Sequence, residues 1–226
     1  MNVYWTIDHK KMVGALNVPT PELVLKNKPV SKTGYNVCPA FNDYFHNVYG
    51  WKAIQDYSLI YDGNGYTYDA HNHSLWDYQI RSVEEQVIGI SQAVVFVTDS
   101  PSLKMSQENP SFEDNKFTSS CYVIPGTIDI GKYYRFLEVA FRIRKNHNRA
   151  AFDEGDIICY FKFHTPEKIN FKQYFMSDKL REYDIMIQEI KFSAHSSPRP
   201  LSFFYDKYKK FNLKSKIMKE IKKNLV

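Results

Sequence analysis

Along the start of the chain Val3, Trp5 and Ile7 alternate with Asn2, Tyr4 and Thr6, the period of two that predicts a half-buried strand. The same period returns at Tyr57, Leu59 and Tyr61. There Asp62-Gly63-Asn64-Gly65 supplies residues that accept positive φ before Tyr66-Thr67-Tyr68 resumes, which predicts a hairpin. Val87 to Thr98 is a β-branched run whose continuous apolar end predicts one central strand covered on both faces. Leu137, Val139, Phe141 and Ile143 alternate with Glu138, Ala140, Arg142 and Arg144. Ile157, Cys159, Phe161 and Phe163 then repeat the pattern, predicting an antiparallel pair with a long connection.

Helical spacing is rarer. Phe41, Tyr44, Phe45 and Val48 follow Cys38-Pro39 and predict one or two helical turns ending near Gly50. Ser177 or Asp178 caps a helix with Leu180, Tyr183, Ile187 and Ile190 on one face, although Ile185-Met186-Ile187 also reads as strand. Proline-containing passages from Pro19 to Lys32 and from Asp99 to Asn115 read as surface loops, and Ser196 to Pro200 as a hinge before a terminal helix. The fold class is mainly β (α+β): an antiparallel β-sandwich or barrel-like body over residues 1–200, with a C-terminal helical extension over 201–226.

Composition strengthens the strand reading, since 17 Tyr and 16 Phe in 226 residues favour pleated, half-buried surfaces. Three widely spaced cysteines, Cys38, Cys121 and Cys159, give an odd number with no C-x-x-C, which fits a reducing compartment. All three sit in apolar strand or helix contexts, where Cys acts as a small buried hydrophobe; Cys159 reads as core. No charged stretch leads into an apolar one at the start, and no apolar run reaches membrane length, so neither a signal peptide nor a transmembrane segment is expected.

Charge changes the picture more than composition does. Residues 203–226 hold eight lysines against Asp206 and Glu220, net +6, whereas the whole chain is +5. The remaining 202 residues therefore sum to −1, and the basicity belongs to the tail. Leu213, Ile217, Ile221 and Leu225 recur at four-residue spacing with Met218 beside them. With Lys214, Lys216, Lys219, Lys222 and Lys223 they form the candidate partner-binding set. So short a helix is marginal alone in water, so it should dock on its own body, on another subunit or on an acidic surface.

Asp69, His71 and His73 are the compact metal-capable cluster: on an extended segment all three side chains share a face, as a 2-His-1-carboxylate iron or zinc site requires. Exposed loop histidines are the favoured reading, because the segment is polar throughout and follows a glycine-rich turn. No cofactor is expected otherwise. Gly-x-Ser-x-Gly, Gly-x-Gly-x-x-Gly, a Walker-type loop and His-Glu-x-x-His are all absent. Glu154-Gly155-Asp156 before a strand reads as a turn, since a cupin-type site needs several inward histidines and only His164 is at hand. Basic and aromatic residues interleave in 132–136, 141–145 and 203–211, but in the two body segments strand alternation puts the aromatics in the core.

Cys38-Pro39-Ala40-Phe41 with Asn47, Gly50 and Trp51, and the run Pro125 to Arg135 with Glu154-Gly155-Asp156, resemble a family of hypothetical proteins from T4-like phages of marine bacteria. The resemblance covers about residues 35–175, leaves the tail outside, and brings no catalytic residues, the family being of unknown function. It implies a viral origin, hence the host cytoplasm or the virion. Gly126 after Pro125 suits a type II turn, Gly155 a turn into the next strand, and Trp51 a large apolar anchor with one donor. The function expected is that of a non-enzymatic phage interaction or structural protein, docking or oligomerising through the β-rich body and cationic helix, with itself or other phage proteins as partners. The competing classes are a metal-dependent enzyme centred on residues 69–73 and a nucleic-acid-binding accessory protein acting through the tail, which the charge admits but does not favour.

Overall fold

A computed structural model of the chain describes residues 1–8, 18, 20–27, 37–68, 78–195, 203 and 212–226. The chain is mainly β, with fifteen strands in four sheets among the described residues. β1 (Asn2–Ile7) lies between β15 (Asn170–Gln173), which it pairs in parallel, and β8 (Val94–Val97), which it pairs antiparallel. It is not half-buried as predicted: Val3, Tyr4, Trp5, Thr6 and Ile7 are all buried. The alternation misleads because Tyr4 is buried along its ring and brings its hydroxyl to Asp99 Oδ2 at 3.1 Å.

A five-stranded antiparallel sheet faces this one, in the order β11 (Gly126–Asp129), β9 (Lys104–Glu108), β14 (Ile157–Phe163), β3 (Val48–Lys52), β2 (Glu22–Leu23). One aromatic layer fills the space between. Trp5 meets Trp51 edge-on at 6.3 Å, and Phe96 contacts Trp51, Phe161, Phe163 and Phe171. Each such ring pair adds about 0.5–1.5 kcal/mol beyond the area it removes from water. Trp51 Nε1 donates to Gln92 Oε1 at 3.0 Å, the one-donor anchor that the sequence suggested.

The other two sheets are β10 (Cys121–Val123), β12 (Glu138–Ile143), β7 (Val87–Ser91), β6 (Tyr78–Ser82) and β13 (Arg149–Phe152), β4 (Tyr57–Tyr61), β5 (Tyr66–Tyr68). The hairpin β4–β5 forms as predicted, with Gly63 at φ 96° and Asp62 Oδ1 accepting from the Asn64 and Gly65 amides. The predicted pair β12 with β14 does not form: they lie in different sheets, and the connection contributes β13, which pairs with β4. Nor is 87–98 a single strand. Ala93, at φ 46°, breaks it into β7 and β8 in separate sheets.

The passage 99–115 is more than a surface loop, because β9 within it sits inside the five-stranded sheet with Met105 buried. Residues 20–27 likewise supply β2 and a 3-10 turn, Val24–Asn27, whose Val24 is buried. α1 (Pro39–Phe45) begins with its proline in the first turn and stops before Asn47, at φ 55°, so Val48 opens β3 instead of extending the helix to Gly50. Gly50 sits mid-strand, where a Cβ would meet Ile157 Cδ1 at 2.8 Å and that side chain would have to shift. Gly126 does not take the positive φ of a type II turn, whereas Gly155 does, at 89°. α2 (Lys116–Ser120) is capped by Asn115, and α3 (Asp178–His195) buries Leu180 and Ile187 as predicted. Cys121 and Cys159 are buried; Cys38 is exposed, since it precedes a helix on the surface of the sheet.

Candidate functional site at the docked C-terminal helix

α4 (Leu213–Lys223) docks on its own body. Leu213, Ile217, Met218 and Ile221 are buried in the same core cluster as the aromatic layer. One residue advances the helix by about 100°, so these four define one side, and Lys216, Lys219, Lys222 and Lys223 fall opposite and are exposed. Two members of the candidate set behave differently. Leu225 does not continue the stripe, because the helix ends at Asn224, whose amide returns to the Ile221 carbonyl. The last residues then run extended along 173–175: the Phe175 amide donates to the Asn224 carbonyl at 2.8 Å and the Val226 amide to Gln173 at 3.1 Å. Leu225 stays 43% exposed.

Lys214 is the second exception. It lies on the inward side, where its ammonium donates to the Gly131 carbonyl at 2.6 Å and to the Ser100 carbonyl. A cation in the first turn opposes the helix dipole, and these carbonyls compensate. Burial lowers the Lys214 pKa below the usual lysine value, against the pull of Asp129 and Asp99.

The seat under Lys214 is built by the run Pro125 to Arg135. Asp129 accepts from Ser102 Oγ at 2.6 Å, from the Leu103 and Gly131 amides at 3.0 Å each, and from Lys132 Nζ at 2.9 Å. Burial alone would raise its pKa, but these donors outweigh it and the pKa falls. Gly131 permits the packing: a Cβ would stand 2.6 Å from Ser102 Cα, which is backbone and cannot move aside. Asp99 completes the ring, accepting from Tyr4 and lying 3.8 Å from Lys222 Nζ. The buried Asp8 pairs separately with Arg181 of α3 at 2.9 Å. Sequence reasoning missed this seat, though an aspartate two residues before a glycine and three before a lysine is the local signal it leaves.

Asp69, His71 and His73 lie outside the described residues. Among the described residues no three His, Cys, Asp or Glu side chains gather as a metal site. The polar trio of the five-stranded sheet is Ser106, whose hydroxyl lies 2.5 Å from His164 Nε2 and 2.9 Å from Thr127 Oγ1. Catalysis from a serine would need a third group to orient the imidazole and backbone donors for an oxyanion. Ser106 stands mid-strand in a ladder between β11 and β14, which engages the backbone donors beside it, so the trio works as a cross-strand hydrogen-bond chain.

Of the two basic segments of the body, 141–143 lies in β12 and divides as the alternation implies, whereas 132–136 lies in no strand, so its buried aromatics do not follow from strand alternation. Tyr134, Phe136, Phe141 and Ile143 are buried, while Arg142, Arg144 and Lys145 line a groove of about 620 Å³ with Tyr122, Glu84 and Glu85. Arg144 there lies over the Tyr122 ring at 5.8 Å. Among the described residues no helix is long and apolar enough to cross a membrane.

No protein-family model matches the chain, and no curated protein does. Two solved structures of the dUTPase from phage phi11 of S. aureus are distantly similar. A point mutant described with a structural Mg(II) ion has a TM-score of 0.30 and 12% identity, covering 66% of this chain and 93% of that one. The structure showing that enzyme's species-specific insert has a TM-score of 0.31 and 12% identity, covering 66% and 92%. Likenesses at that level carry no argument about what this chain does.

Proposed function

We propose that this chain is a non-enzymatic interaction or structural protein of a phage, acting in the host cytoplasm or the virion. In this reading the β-rich body holds α4 in place, and the helix offers a lysine face to an acidic surface on another phage protein or another copy. The observation that carries it is the division of the helix: its apolar side is sealed in the body while Lys216, Lys219, Lys222 and Lys223 point outward. On that free side Lys216 and Lys219 make no ion pair among the described residues, so their charge is open to an acidic partner. The phage source rests on the resemblance of residues 38–51 and 125–156. The part of that resemblance from 125 to 135 builds the seat of the helix, which makes body and tail one working unit.

Carbodiimide cross-linking of purified particles or infected-cell complexes, which joins lysines to carboxylates, tests this reading. Lys219 should be recovered joined to an acidic residue of another polypeptide. A Lys216→Glu, Lys219→Glu chain should keep its circular dichroism and lose the cross-link. A strictly monomeric chain whose cross-links are all internal, and are unchanged by that reversal, ends the proposal.

A further inference from the structure

A second surface answers the lysine face. α1 lies on the outer side of the five-stranded sheet, where Phe45 packs with Val24, Val48 and Tyr160 in a small core separate from the main one. Around it rings remain in view: Tyr44 is 47% exposed and Phe112 36%, and Phe112 stands 5.4 Å from Phe41 and 5.2 Å from Phe45. Exposed carboxylates neighbour these rings in sequence, Asp43 beside Tyr44 and Asp114 two residues past Phe112. Asp43 and Asp114 form no ion pair among the described residues, and Lys162 Nζ sits over the Tyr44 ring at 4.0 Å on the margin of the patch. Around the lysine face, in turn, are the exposed apolar side chains of Phe175, Leu225 and Val226.

The two surfaces thus complement each other twice, carboxylates against lysines and aromatic rings against aliphatic chains. They cannot meet within one molecule. The α1 patch lies on the outer face of the five-stranded sheet, opposite the layer of Trp51 and Phe161. α4 belongs to the other sheet: its end pairs along residues 173–175, just past β15, and Lys222 reaches Asp99, just past β8. Two packed sheets, roughly 10 Å apart, stand between them.

We propose that copies of this chain associate head to tail, the lysine face of α4 in one copy seated on the aromatic, acidic patch of α1 in the next. This deepens the reading above, on which it rests, by naming a second copy as the acidic surface. A contact between two different patches does not close on itself as a two-fold dimer does, so it builds rings or open chains. The patches are small, which places the junction among weak interfaces burying less than about 1,200 Å². Much of its attraction is between exposed charges, so salt screens it.

The test is sedimentation velocity of the full chain over a concentration series, at low and at high salt. Growth past the dimer at low salt, reversed at high salt, is expected. Two charge reversals at exposed positions, Asp43→Lys with Asp114→Lys and Lys216→Glu with Lys219→Glu, should each sediment as monomers with unchanged circular dichroism, because each puts like charges across the junction. Mixed in equal amounts, they should regain growth, because opposite charges again face each other at every alternating junction. A parent chain that stays monomeric at low salt, association indifferent to either reversal, or a mixture that stays monomeric would overturn the proposal. A monomeric chain that still cross-links through Lys219 to a different phage polypeptide overturns the head-to-tail contact and leaves the broader reading standing.

Discussion

The aromatic layer between the two facing sheets and the seat of α4 both hold buried side chains, but different physics holds them. Trp5, Trp51, Phe96, Phe161 and Phe163 fill their space by volume, with edge-on rings and a single polar tie from Trp51 to Gln92. The seat joins four apolar side chains of α4 to directed bonds, with Asp129 holding the loop that presents the Gly131 carbonyl and Lys214 gripping it. Burial by volume is non-directional and tolerates rearrangement, whereas hydrogen bonds fix one placement. The layer therefore holds the fold, and the seat fixes where the lysine face points.

The largest break in that comparison is Trp51→Ala. It removes the ring that contacts Trp5, Phe96 and Phe161 and leaves Gln92 Oε1 buried without its donor. A cost of about 3–5 kcal/mol is expected, against a total stability of roughly 5–15 kcal/mol for such domains. Urea unfolding should show a lowered midpoint for the strands of both facing sheets together, because this ring bridges the layer between them.

Ile217→Ala strikes the seat instead, at a fully buried position of α4. The expected cost is about 2–5 kcal/mol, but it should appear locally. Amide exchange over 213–223 should accelerate while β14 keeps its protection; equal acceleration in both would show that seat and layer form one cooperative unit.

These two elements also show what the sequence discloses. The apolar stripe Leu213, Ile217, Met218 and Ile221 was legible because helical period is a local property, and so was the β4–β5 hairpin. β9 was not legible: Lys104-Met105-Ser106-Gln107-Glu108 is polar at most positions, and its place in the sheet is set by neighbours β11 and β14, distant in sequence. The division of 87–98 between two sheets turns on one residue, Ala93, whose positive φ nothing in its side chain announces. At the candidate site the outward lysines followed from helical period, but Lys214 did not, because its carbonyl partners lie 83 and 114 residues away. Cysteine burial was read correctly at Cys121 and Cys159 and wrongly at Cys38, which is exposed.

Gly131→Ala sharpens the contrast from the other direction. It should cost about 1–3 kcal/mol by overpacking, since the new methyl meets the Ser102 backbone at 2.6 Å. The shift of the Gly131 carbonyl should also loosen Lys214, so amide exchange of α4 should rise although no residue of the helix has changed. A melting temperature and α4 exchange rate equal to the parent would remove Gly131 from the seat.

Alkaline pH probes burial outside both regions, at β5 and β10. Burial pushes the Tyr66 phenol up to about 12, with Tyr61 adding to the shift, and pushes the Cys121 thiol up to about 12. In the unfolded chain these groups ionise at about 10 and 8.5. The stability they contribute is therefore complete below about pH 8.5 and is lost as pH rises toward 12. The Tyr66 hydroxyl is buried and finds no hydrogen-bond partner among the described residues. Tyr66→Phe should consequently stabilise the neutral-pH protein by up to about 1 kcal/mol and flatten the alkaline decline. A decline as steep as the parent's would move the titration elsewhere.

The most pointed comparison sets two lysines of one helix against each other, and its exposed member carries the smallest expected effect. Lys214→Met strips the Ser100 and Gly131 carbonyls of a charged donor and should cost about 1–3 kcal/mol. Lys219→Met, five residues on and exposed, should stay within about 0.5 kcal/mol, read as the difference in urea midpoint at equal slope. If the two substitutions cost the same, Lys214 is not part of the seat and its depressed pKa is incidental. If Lys219→Met is silent in stability yet lowers self-association at low salt, the division of α4 into an inward side that holds and an outward side that contacts is measured on a single helix.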